Sequence, residues 1–266
     1  MIYYKTVEEI ELIRESSLLV AKVLAEVARI IAPGVSTQTL DNVAETFIRD
    51  HGGIPAFKGY NGFPASLCIS INEEVVHGIP GKRELKEGEI VSVDCGVLKD
   101  GFYGDSAYTF PVGEISSESS RLLRVTKECL YLGIENAIVG MRIGDISFAV
   151  QQHAENNGYA VVRDLVGHGI GRSLHEKPDV PNYGKRGSGM QLREGLVIAI
   201  EPMINSVKSA VEQMKDGWTI VSKDHLPSAH YEHTIAVKKD KAEILTSFGY
   251  IDEVLSKNSF EGTIKN

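Results

Sequence analysis

The sequence predicts an α+β fold made of two similar halves, because helical and strand-like hydrophobic patterns follow each other twice in the same order. Two helical stretches precede the strand-rich region 66–111, and two more precede strand-like runs that end near residue 238. Selected turn glycines and apolar positions recur 106 positions later: Gly34, Leu40, Val43 and Gly52 recur as Gly140, Ile146, Ala149 and Gly158. Four matches alone can arise by chance, but the repeated element order favours two halves packed as one domain.

The composition is that of an ordinary water-soluble protein. Hydrophobic residues make up 42% of the 266 positions, and no apolar run reaches the ~20 residues of a membrane span. The first residues lack the apolar stretch of a signal peptide, and the cysteines Cys68, Cys95 and Cys129 form no C-x-x-C pair. We therefore expect a cytoplasmic protein with no disulfide framework and no membrane partner.

The charge balance is acidic, with 36 Asp and Glu residues against 28 Lys and Arg residues and a net charge of −8. A protein that follows phosphate backbones needs the opposite balance, so nucleic acid is not an expected partner. Two interpretations of the acidic excess remain open. It forms either a solvated acidic surface or a cluster of buried carboxylates that holds cations.

The first two helices are marked by their caps. The stretch 6–31 carries apolar residues at helical spacing, with Thr6 as N-cap and a glutamate three positions later in a capping-box arrangement. An Ala-Pro-Gly sequence ends this helix. A second helix spans about 36–51, capped by Ser36 or Thr37 and closed by a Gly-Gly pair.

Strand patterns follow each helical pair. In the region 66–111, β-branched and aromatic residues alternate with turn signals, which predicts strands joined by tight turns. Helical periodicity returns at 118–138 and 145–157. The strand-like runs of the second half occupy 160–166, 195–204, 218–222 and 231–238.

Two aspartates face the same side of one predicted hairpin. Asp100-Gly101 is a turn signal between the strand-like runs that carry Asp94 and Asp105. With a two-residue turn, Asp105 lies opposite Gly96, and the two carboxylates are diagonal neighbours about 7–8 Å apart at Cα. Such carboxylates repel each other unless a positive charge lies between them. The alternative is an exposed hairpin face, where carboxylates are common. A loop of odd length would place the two aspartates on opposite faces. The small residues beside them favour a cation site.

Two glutamates interrupt apolar strand patterns. Glu201 ends the apolar part of the run 195–204, where an unpaired ionised carboxylate is costly, so it is either paired or a ligand. The following Pro202 removes a backbone donor and indicates a strand end or edge. Glu232 lies between two histidines, and pairing with one of them is the alternative to metal binding.

Three histidines complete the candidate residues. Glycines flank His168 and permit close approach of another group, and their spacing matches no nucleotide-binding fingerprint. His175 and His77 are each most simply explained as loop residues. Four carboxylates and one imidazole suit a pair of divalent ions such as Mn, Fe, Co or Zn, which would activate water for hydrolysis. Spacing alone does not show that this set meets: Asp94, Asp105, His168, Glu201 and Glu232.

Six ordered motifs resemble those of type I methionine aminopeptidases, which are metallopeptidases with the pita-bread fold. The resemblance extends from the first helix to about residue 246. The motifs are CISINEEVVHGIP at 68–80, VDCGVLKDGFYGD at 93–105, GHGIGRSLHE at 167–176, IEPM at 200–203, MKDGWT at 214–219 and YEHTI at 231–235. The resemblance implies a central curved antiparallel sheet covered by helices, in one catalytic domain spanning 1–266. A pseudo-twofold axis would relate half-repeats at about 1–112 and 113–250.

The resemblance also implies roles for the site residues. The ligands of two divalent ions would be Asp94, Asp105, His168, Glu201 and Glu232. We expect Glu201 to act also as general base, His175 to hydrogen-bond the substrate carbonyl, and His77 to contact the scissile amide nitrogen. The expected reaction is removal of the N-terminal initiator methionine when the second residue is small.

The methionine side chain would enter a small apolar pocket. The matching substrate-binding positions are Tyr60, Phe63, Cys68, Leu174 and Trp218, beside His77 and His175. Relatives often carry an aromatic residue at the position of Leu174 and a tyrosine at that of Phe63, so the pocket shape is expected to differ here. Three further positions match a monovalent-cation site of some members: Asn72, Glu74 and Ser228.

The resemblance leads us to expect a cytoplasmic monomer that acts on N-terminal Met peptides and nascent chains, close to the ribosome. No large insertion separates His168 from Glu201, which resembles the type I form, and we expect the short form of that type, without a zinc-finger-like segment before the first helix. Two alternatives remain. One is a related X-Pro metallopeptidase, although these usually carry an extra N-terminal domain. The other is a non-catalytic protein of the same fold, although such proteins typically lose ligands and gain basic segments.

Overall fold

The chain folds as two successive sets of elements, and each set begins with two helices and continues with strands. A computed structural model describes the backbone of residues 1–263 and the side chains of residues 1–257. The first set consists of α1 (Val7–Ile30), α2 (Thr37–Asp50), β1 (Ile54–Pro55), a 3-10 turn (Tyr60–Gly62), β2 (Leu67–Ile71), β3 (Glu74–Val76), β4 (Ile90–Lys99) and β5 (Phe102–Pro111). The second set consists of α3 (Ser117–Glu135), α4 (Ile143–Asn156), β6 (Ala160–Val161), β7 (Gly167–Gly169), β8 (Glu176–Val180), β9 (Val197–Ile200), β10 (Met203–Asn205), β11 (Val211–Gln213), β12 (Ile220–Ser222), β13 (Ser228–His230), β14 (His233–Ala236), β15 (Glu243–Ile244) and α5 (Gly249–Thr263).

The four helices predicted from the sequence are present, and their caps explain where they begin. Thr6 and Glu9 form the expected capping box at α1, and the side chain of Ser36 caps α2. Helix α4 begins two residues before the predicted 145, because Asp145 accepts a hydrogen bond of 2.8 Å from the Arg142 N–H. The sequence patterns did not predict α5. No helix in the described part of the chain is long and apolar enough to cross a membrane.

The 106-residue offset extends to whole elements. Adding 106 to the bounds of α2 reproduces the bounds of α4, and adding it to those of β1 reproduces those of β6. The glycines that close α2 and α4, Gly52 and Gly158, both have positive φ, as a helix-ending glycine requires. Leu40 and Ile146 are both buried, at 0% and 1% exposure. The repeat is therefore one of backbone architecture. The predicted domain span of 1–266 includes residues outside the described part and stays a prediction.

The strand-like runs of the second half are shorter in the structure than in the sequence pattern. The run 160–166 forms only the two-residue strand β6. The run 195–204 divides into β9 and β10 at Glu201-Pro202, because Pro202 has no N–H for a strand ladder. Glu201 therefore lies just beyond the end of β9, where the alternation of side chains along the strand no longer determines the direction of its side chain.

All ladders between the described strands are antiparallel, as predicted. One sheet has the order β1-β4-β2 with β5 beside β4, and the largest has the order β15-β14-β9-β7-β8. Two three-stranded sheets have the orders β13-β10-β6 and β11-β12-β3. The first and largest sheets carry the five predicted metal ligands on strands or immediately beside them.

Hydrogen bonds join the two sets of strands at β5. Ser106 Oγ donates to the carbonyl of Glu232 at 2.7 Å, and the Glu232 N–H donates to the carbonyl of Ala107 at 2.9 Å. Thr234 Oγ1 donates to the carbonyl of Asp105 at 2.8 Å. These bonds hold the middle of β5 against the start of β14, which brings acidic residues from both halves together.

Helix α1 covers the outer side of the same hairpin. Gly104 permits this contact, because a Cβ atom at this position would lie 2.5 Å from the backbone nitrogen of Ser17. Ser16 Oγ donates to the Phe102 carbonyl at 2.9 Å. The hairpin is therefore held between a helix on one side and the second set of strands on the other.

Candidate metal centre

The β4–β5 hairpin places Asp94 and Asp105 as its sequence predicts. Asp100 and Gly101 both have positive φ, at 50° and 79°, which is the geometry of a two-residue type I′ turn. The register pairs Gly96 with Asp105 and Asp94 with Ala107. The two carboxylates are therefore diagonal neighbours on one face, and the parity argument is confirmed.

The two glutamates meet this face from the other set of strands. Glu201 follows β9 and Glu232 precedes β14, and the two strands pair so that Ile200 lies opposite His233. The glutamates therefore lie at the same end of one ladder. Glu232 is 2% exposed, and the exposed fraction of the Glu201 side chain is 14%.

His168 lies in β7 and turns one ring nitrogen toward the carboxylates. Its Nδ1 lies 2.9 Å from the carbonyl oxygen of Gly169, and since a carbonyl only accepts, Nδ1 carries the proton. The lone pair of Nε2 is then free, and this atom lies 3.6 Å from Glu201 Oε1. This is the arrangement typical of a metal-binding histidine, in which the second nitrogen fixes the ring.

The resulting cluster fits a divalent metal centre. Ligand atoms of Asp105, His168 and Glu232 all lie within 4.8 Å of one another. One oxygen each of Asp94, Asp105 and Glu232 is buried without a hydrogen-bond partner among the described residues. Buried carboxylate oxygens normally have a partner, and a cation supplies one to several oxygens at once. Oxygen and imidazole donors without a thiolate suit ions such as Mn, Fe, Co and Zn.

The electrostatics of the cluster agree with this fit. Burial raises the pKa of Asp94 to about 7. Burial, and then repulsion from neighbouring carboxylates, raises the pKa values of Asp105, Glu201 and Glu232 well above their ordinary range. Burial lowers the pKa of His168 to about 3, so the ring is neutral and available as a ligand. A nearby cation favours ionised carboxylates and so opposes these upward shifts.

We expect the metal-free protein to lose stability as the pH rises from 7 to 8. In this range His168 is mostly neutral in both states, whereas Asp94, with its pKa raised to about 7, is ionised in the unfolded chain and still partly protonated in the folded one. The raised pKa values of Asp105 and Glu232 act in the same direction. The folded state then binds more protons, so the free energy of unfolding falls with pH, by up to about 1.4 kcal/mol per pH unit for each proton. Thermal denaturation of chelator-treated protein measures this slope. The double variant D105N/E232Q is the control and should show a shallower slope; equal slopes would contradict the expectation.

The cluster forms the floor of a cavity of about 250 Å³. All the predicted substrate-binding and metal-ligating positions line this cavity, and the sequence argument missed two further lining residues, Phe57 and Asn61. Neither carries a chemical signature, and only their position beside the predicted Tyr60 could have indicated them. The rings of Phe63 and Trp218 meet edge to face, with centroids 5.1 Å apart. Burial raises the pKa of the Cys68 thiol, so this side chain stays neutral.

Both predicted active-site histidines lie at this cavity. His175 Nδ1 lies 2.8 Å from the Tyr60 hydroxyl, and the His175 ring is 4.3 Å from that of His168. His77 has a positive φ of 60° at the end of β3, which turns the chain away from the strand. Burial lowers the pKa of both His77 and His175.

The residues suggested for a monovalent cation lie beside or at the start of strands β3 and β13. The Ser228 N–H donates to the Asn72 carbonyl at 2.8 Å, and Glu74 Oε2 accepts from the Ile71 N–H at 2.8 Å. Asn72 Oδ1 accepts from the Ile90 N–H at 3.1 Å. These polar groups thus have protein partners, and the cation stays a prediction.

Comparison with known proteins agrees with this architecture. The model of metallopeptidase family M24 matches residues 11–239. A methionine aminopeptidase of Clostridium perfringens is 51% identical over 246 residues, which cover 92% of this chain and 99% of that protein. Methionine aminopeptidase 1 of Bacillus subtilis is 49% identical over 246 residues, with the same coverage. The crystal structure of the Rickettsia prowazekii methionine aminopeptidase superposes with a TM-score of 0.92 at 42% identity, covering 93% of this chain and 100% of that one.

The fold and the buried carboxylate–imidazole cluster define a metal-dependent hydrolase of the pita-bread type. The chain belongs to metallopeptidase family M24. The predicted fold class is therefore confirmed. A prolidase of Pyrococcus horikoshii shares the fold at a TM-score of 0.74 and 21% identity, but the match covers only 63% of that longer chain.

Proposed function

We propose that this protein is a methionine aminopeptidase, which hydrolyses the first peptide bond of polypeptides that begin with methionine. The observation that carries the proposal is a buried cluster of carboxylates and one imidazole at the floor of a small, mostly apolar cavity. Nearly full-length similarity to proteins named methionine aminopeptidase supports the choice of substrate.

We infer that five side chains of the cluster hold two divalent ions. Bound ions of this kind acidify water and polarise a carbonyl group. One buried oxygen on each of Asp94, Asp105 and Glu232 has no hydrogen-bond partner within the described part of the chain, which supports the inference, as does the unprotonated Nε2 of His168. The proposed ligands are Asp94, Asp105, His168, Glu201 and Glu232.

Glu201 is the proposed general base. Of the two clustered glutamates, Glu201 is more exposed than Glu232. Burial raises the pKa of Glu201, so that this carboxylate can hold a proton after taking one from water. His175 lies at the cavity wall, where a ring N–H can hydrogen-bond the oxygen that becomes negatively charged during attack. His77 lines the same cavity and is the proposed contact of the departing amine.

The cavity wall accounts for a preference for methionine. Aromatic rings and a neutral thiol offer the polarisable contacts that a thioether favours. A cavity of about 250 Å³ admits one side chain of this size, and the crowding around it favours a small second residue. The wall residues are Tyr60, Phe63, Cys68, Leu174 and Trp218.

The Trp218→Ala variant should lower kcat/KM for Met-Ala-Ser by about 10–100-fold, because it removes a wall of the apolar pocket. Selectivity for methionine over alanine at the first position should fall as well. Steady-state kinetics with the two matched peptides measures both effects. Tyr250→Ala, which removes a partly exposed ring of α5 that does not line the cavity, is the control. Unchanged selectivity in the Trp218 variant would exclude this ring from the binding pocket.

The cellular setting is part of the proposal. A role in processing nascent chains places the protein in the cytoplasm near ribosomes, and we propose that it acts as a monomer. The alternative of an X-Pro specificity rests on the prolidase fold, whose sequence similarity to this chain is much lower.

Hydrolysis of Met-Ala-Ser and Ala-Pro-Ser in the same assay tests the proposed function. Protein reconstituted with Fe, Mn, Co or Zn should cleave the methionine peptide and leave the proline peptide intact. Cleavage of only the proline peptide would favour the X-Pro alternative. Failure on both peptides with every metal would favour a non-catalytic protein of this fold.

A further inference from the structure

A buried ion pair links the start of the chain to the loop that carries His175. The ammonium group of Lys5, which lies just before α1, contacts the carboxylate of Glu176, the first residue of β8. The exposed fractions of the two side chains are only 5% and 6%. This pair is distinct from the surface ion pairs elsewhere in the chain, because both charges are removed from water.

The backbone around Lys5 holds its side chain in this position. The Lys5 N–H donates to the carbonyl of Gly195 at 2.7 Å, and Ile2 forms a parallel β-bridge with Lys177. The lysine side chain then runs over Gly171, where a Cβ atom would overlap its end. The start of the chain is thus held against the loop formed by residues 170–175 at Gly171 and against Lys177 just after this loop.

Glu176 uses its other oxygen to shape that loop. Its Oε1 accepts hydrogen bonds from the N–H groups of Arg172 at 2.9 Å and Ser173 at 3.3 Å. One carboxylate therefore closes the loop on itself and is anchored from outside by Lys5. The next two residues of the loop, Leu174 and His175, line the cavity.

Removing the ammonium group would leave a buried carboxylate without its cation. Such a carboxylate is strongly unfavourable where it is and either takes up a proton or moves toward water. Either change weakens the acceptor on which the loop N–H groups depend. The side chains of the metal cluster are carried by other elements, namely the β4–β5 hairpin, β7 and the ends of β9 and β14. Glu176 pairs with Gly169 of β7, but this pairing is between backbone groups, which the loss of the Lys5 ammonium group leaves in place. The effect should therefore fall on His175 and Leu174 and leave the cluster intact.

We propose that Lys5 is a positioning residue for His175 and acts through the carboxylate of Glu176. The proposal rests on the proposed function, in which His175 contacts the substrate carbonyl. Lys5, which is more than 160 positions from His175 in sequence, then helps to determine the turnover rate. The proposal adds Lys5 and Glu176 to the residues that the reaction needs.

The test uses the full chain loaded with manganese and the variants Lys5→Met and Lys5→Met/Glu176→Gln. Lys5→Met should lower kcat for Met-Ala-Ser by about 10–100-fold, because small misplacements of a reacting group have effects of this size. Metal content per chain should stay at the wild-type value. The double variant should return to within about 3-fold of wild type, because a neutral glutamine keeps an acceptor oxygen for the loop and needs no cation. A lysine that merely tethered the start of the chain would not be rescued by a change at Glu176.

A second readout does not depend on activity. Trypsin cleaves after Arg172, so the cleavage rate there reports how well the loop is held. This rate should rise at least about 10-fold in Lys5→Met and return in the double variant, as expected when local opening controls proteolysis. Arg172 itself pairs with Glu9 on the surface, and Glu9→Gln is the matched control, which should leave kcat within about 2-fold of wild type.

The outcomes separate this proposal from the proposed function. If wild-type protein cleaves no methionine peptide, the proposed function fails, and the proteolysis experiment alone still tests whether Lys5 holds the loop. If wild type is active but Lys5→Met keeps its kcat and its cleavage rate, the proposal is wrong. A loss of activity that Glu176→Gln does not restore would also overturn it. Should Lys5→Met fail to fold, a folded and active double variant would support the proposal, and an unfolded double variant would contradict it.

Discussion

Replacement of Glu232 by alanine is expected to remove divalent metal from the protein and to lower kcat/KM by at least about 10³-fold, since a bound ion supplies several kcal/mol of transition-state stabilisation. Glu232 is almost fully buried, and one of its oxygens has no hydrogen-bond partner among the described residues. Its carboxylate lies close to Asp105 and His168, so its loss removes a ligand from the middle of the cluster. Elemental analysis after dialysis against a fixed free manganese concentration measures the metal content.

The same variant should not lose stability when metal is absent. Repulsion among the clustered carboxylates raises their pKa values, so removal of one carboxylate relieves the others. Thermal denaturation in chelator should therefore show a melting temperature at or above that of wild type. Glu212→Ala, on exposed strand β11, is the control and should keep both metal and activity. Wild-type metal content in the Glu232 variant would exclude this residue as a ligand.

Replacement of His175 by alanine should lower kcat by about 10²–10³-fold, the usual effect of losing one hydrogen-bond donor to a developing oxyanion. The His175 ring lies on the cavity wall beside the His168 ring, and the Tyr60 hydroxyl is 2.8 Å from its Nδ1. This contact leaves Nε2 as the nitrogen available to substrate. Metal content should stay near the wild-type value, because His175 is outside the five proposed ligands.

Single-turnover kinetics with Met-Ala-Ser separates this effect from substrate binding. We expect the loss to appear in the chemical step, with KM changed by much less than kcat. The variant His175→Gln keeps an N–H donor and should recover part of the rate. Activity of His175→Ala within a few-fold of wild type would show that this role is wrong, and loss of metal in that variant would show that the ring supports the cluster instead.

The sequence predicted the first half of the site because the relevant geometry is local. A two-residue turn at Asp100-Gly101 determines which residues of the hairpin face each other, so the relation between Asp94 and Asp105 follows from parity alone. The helix caps at Thr6 and Ser36 are local signals as well. In such cases a few neighbouring residues determine the structure, and the pattern is sufficient.

The rest of the site depends on contacts between distant parts of the chain. Glu201 and Glu232 lie at one end of the β9–β14 ladder, but four other strands separate them in sequence, and no periodicity encodes that pairing. Only the resemblance to a family predicted that these two glutamates belong to one site. Phe57 and Asn61 escaped prediction because a lining position carries no chemical signature. The role of Lys5 was not predicted for a related reason, since a lysine near the start of a chain usually lies on a solvated surface.

Anomalous diffraction from crystals of the manganese-loaded protein tests the central claim most directly. We expect two manganese peaks per chain, both enclosed by the side chains of Asp94, Asp105, His168, Glu201 and Glu232. Peaks located only outside this group, or oxygen atoms of these residues turned away from any ion at saturating manganese, would contradict it.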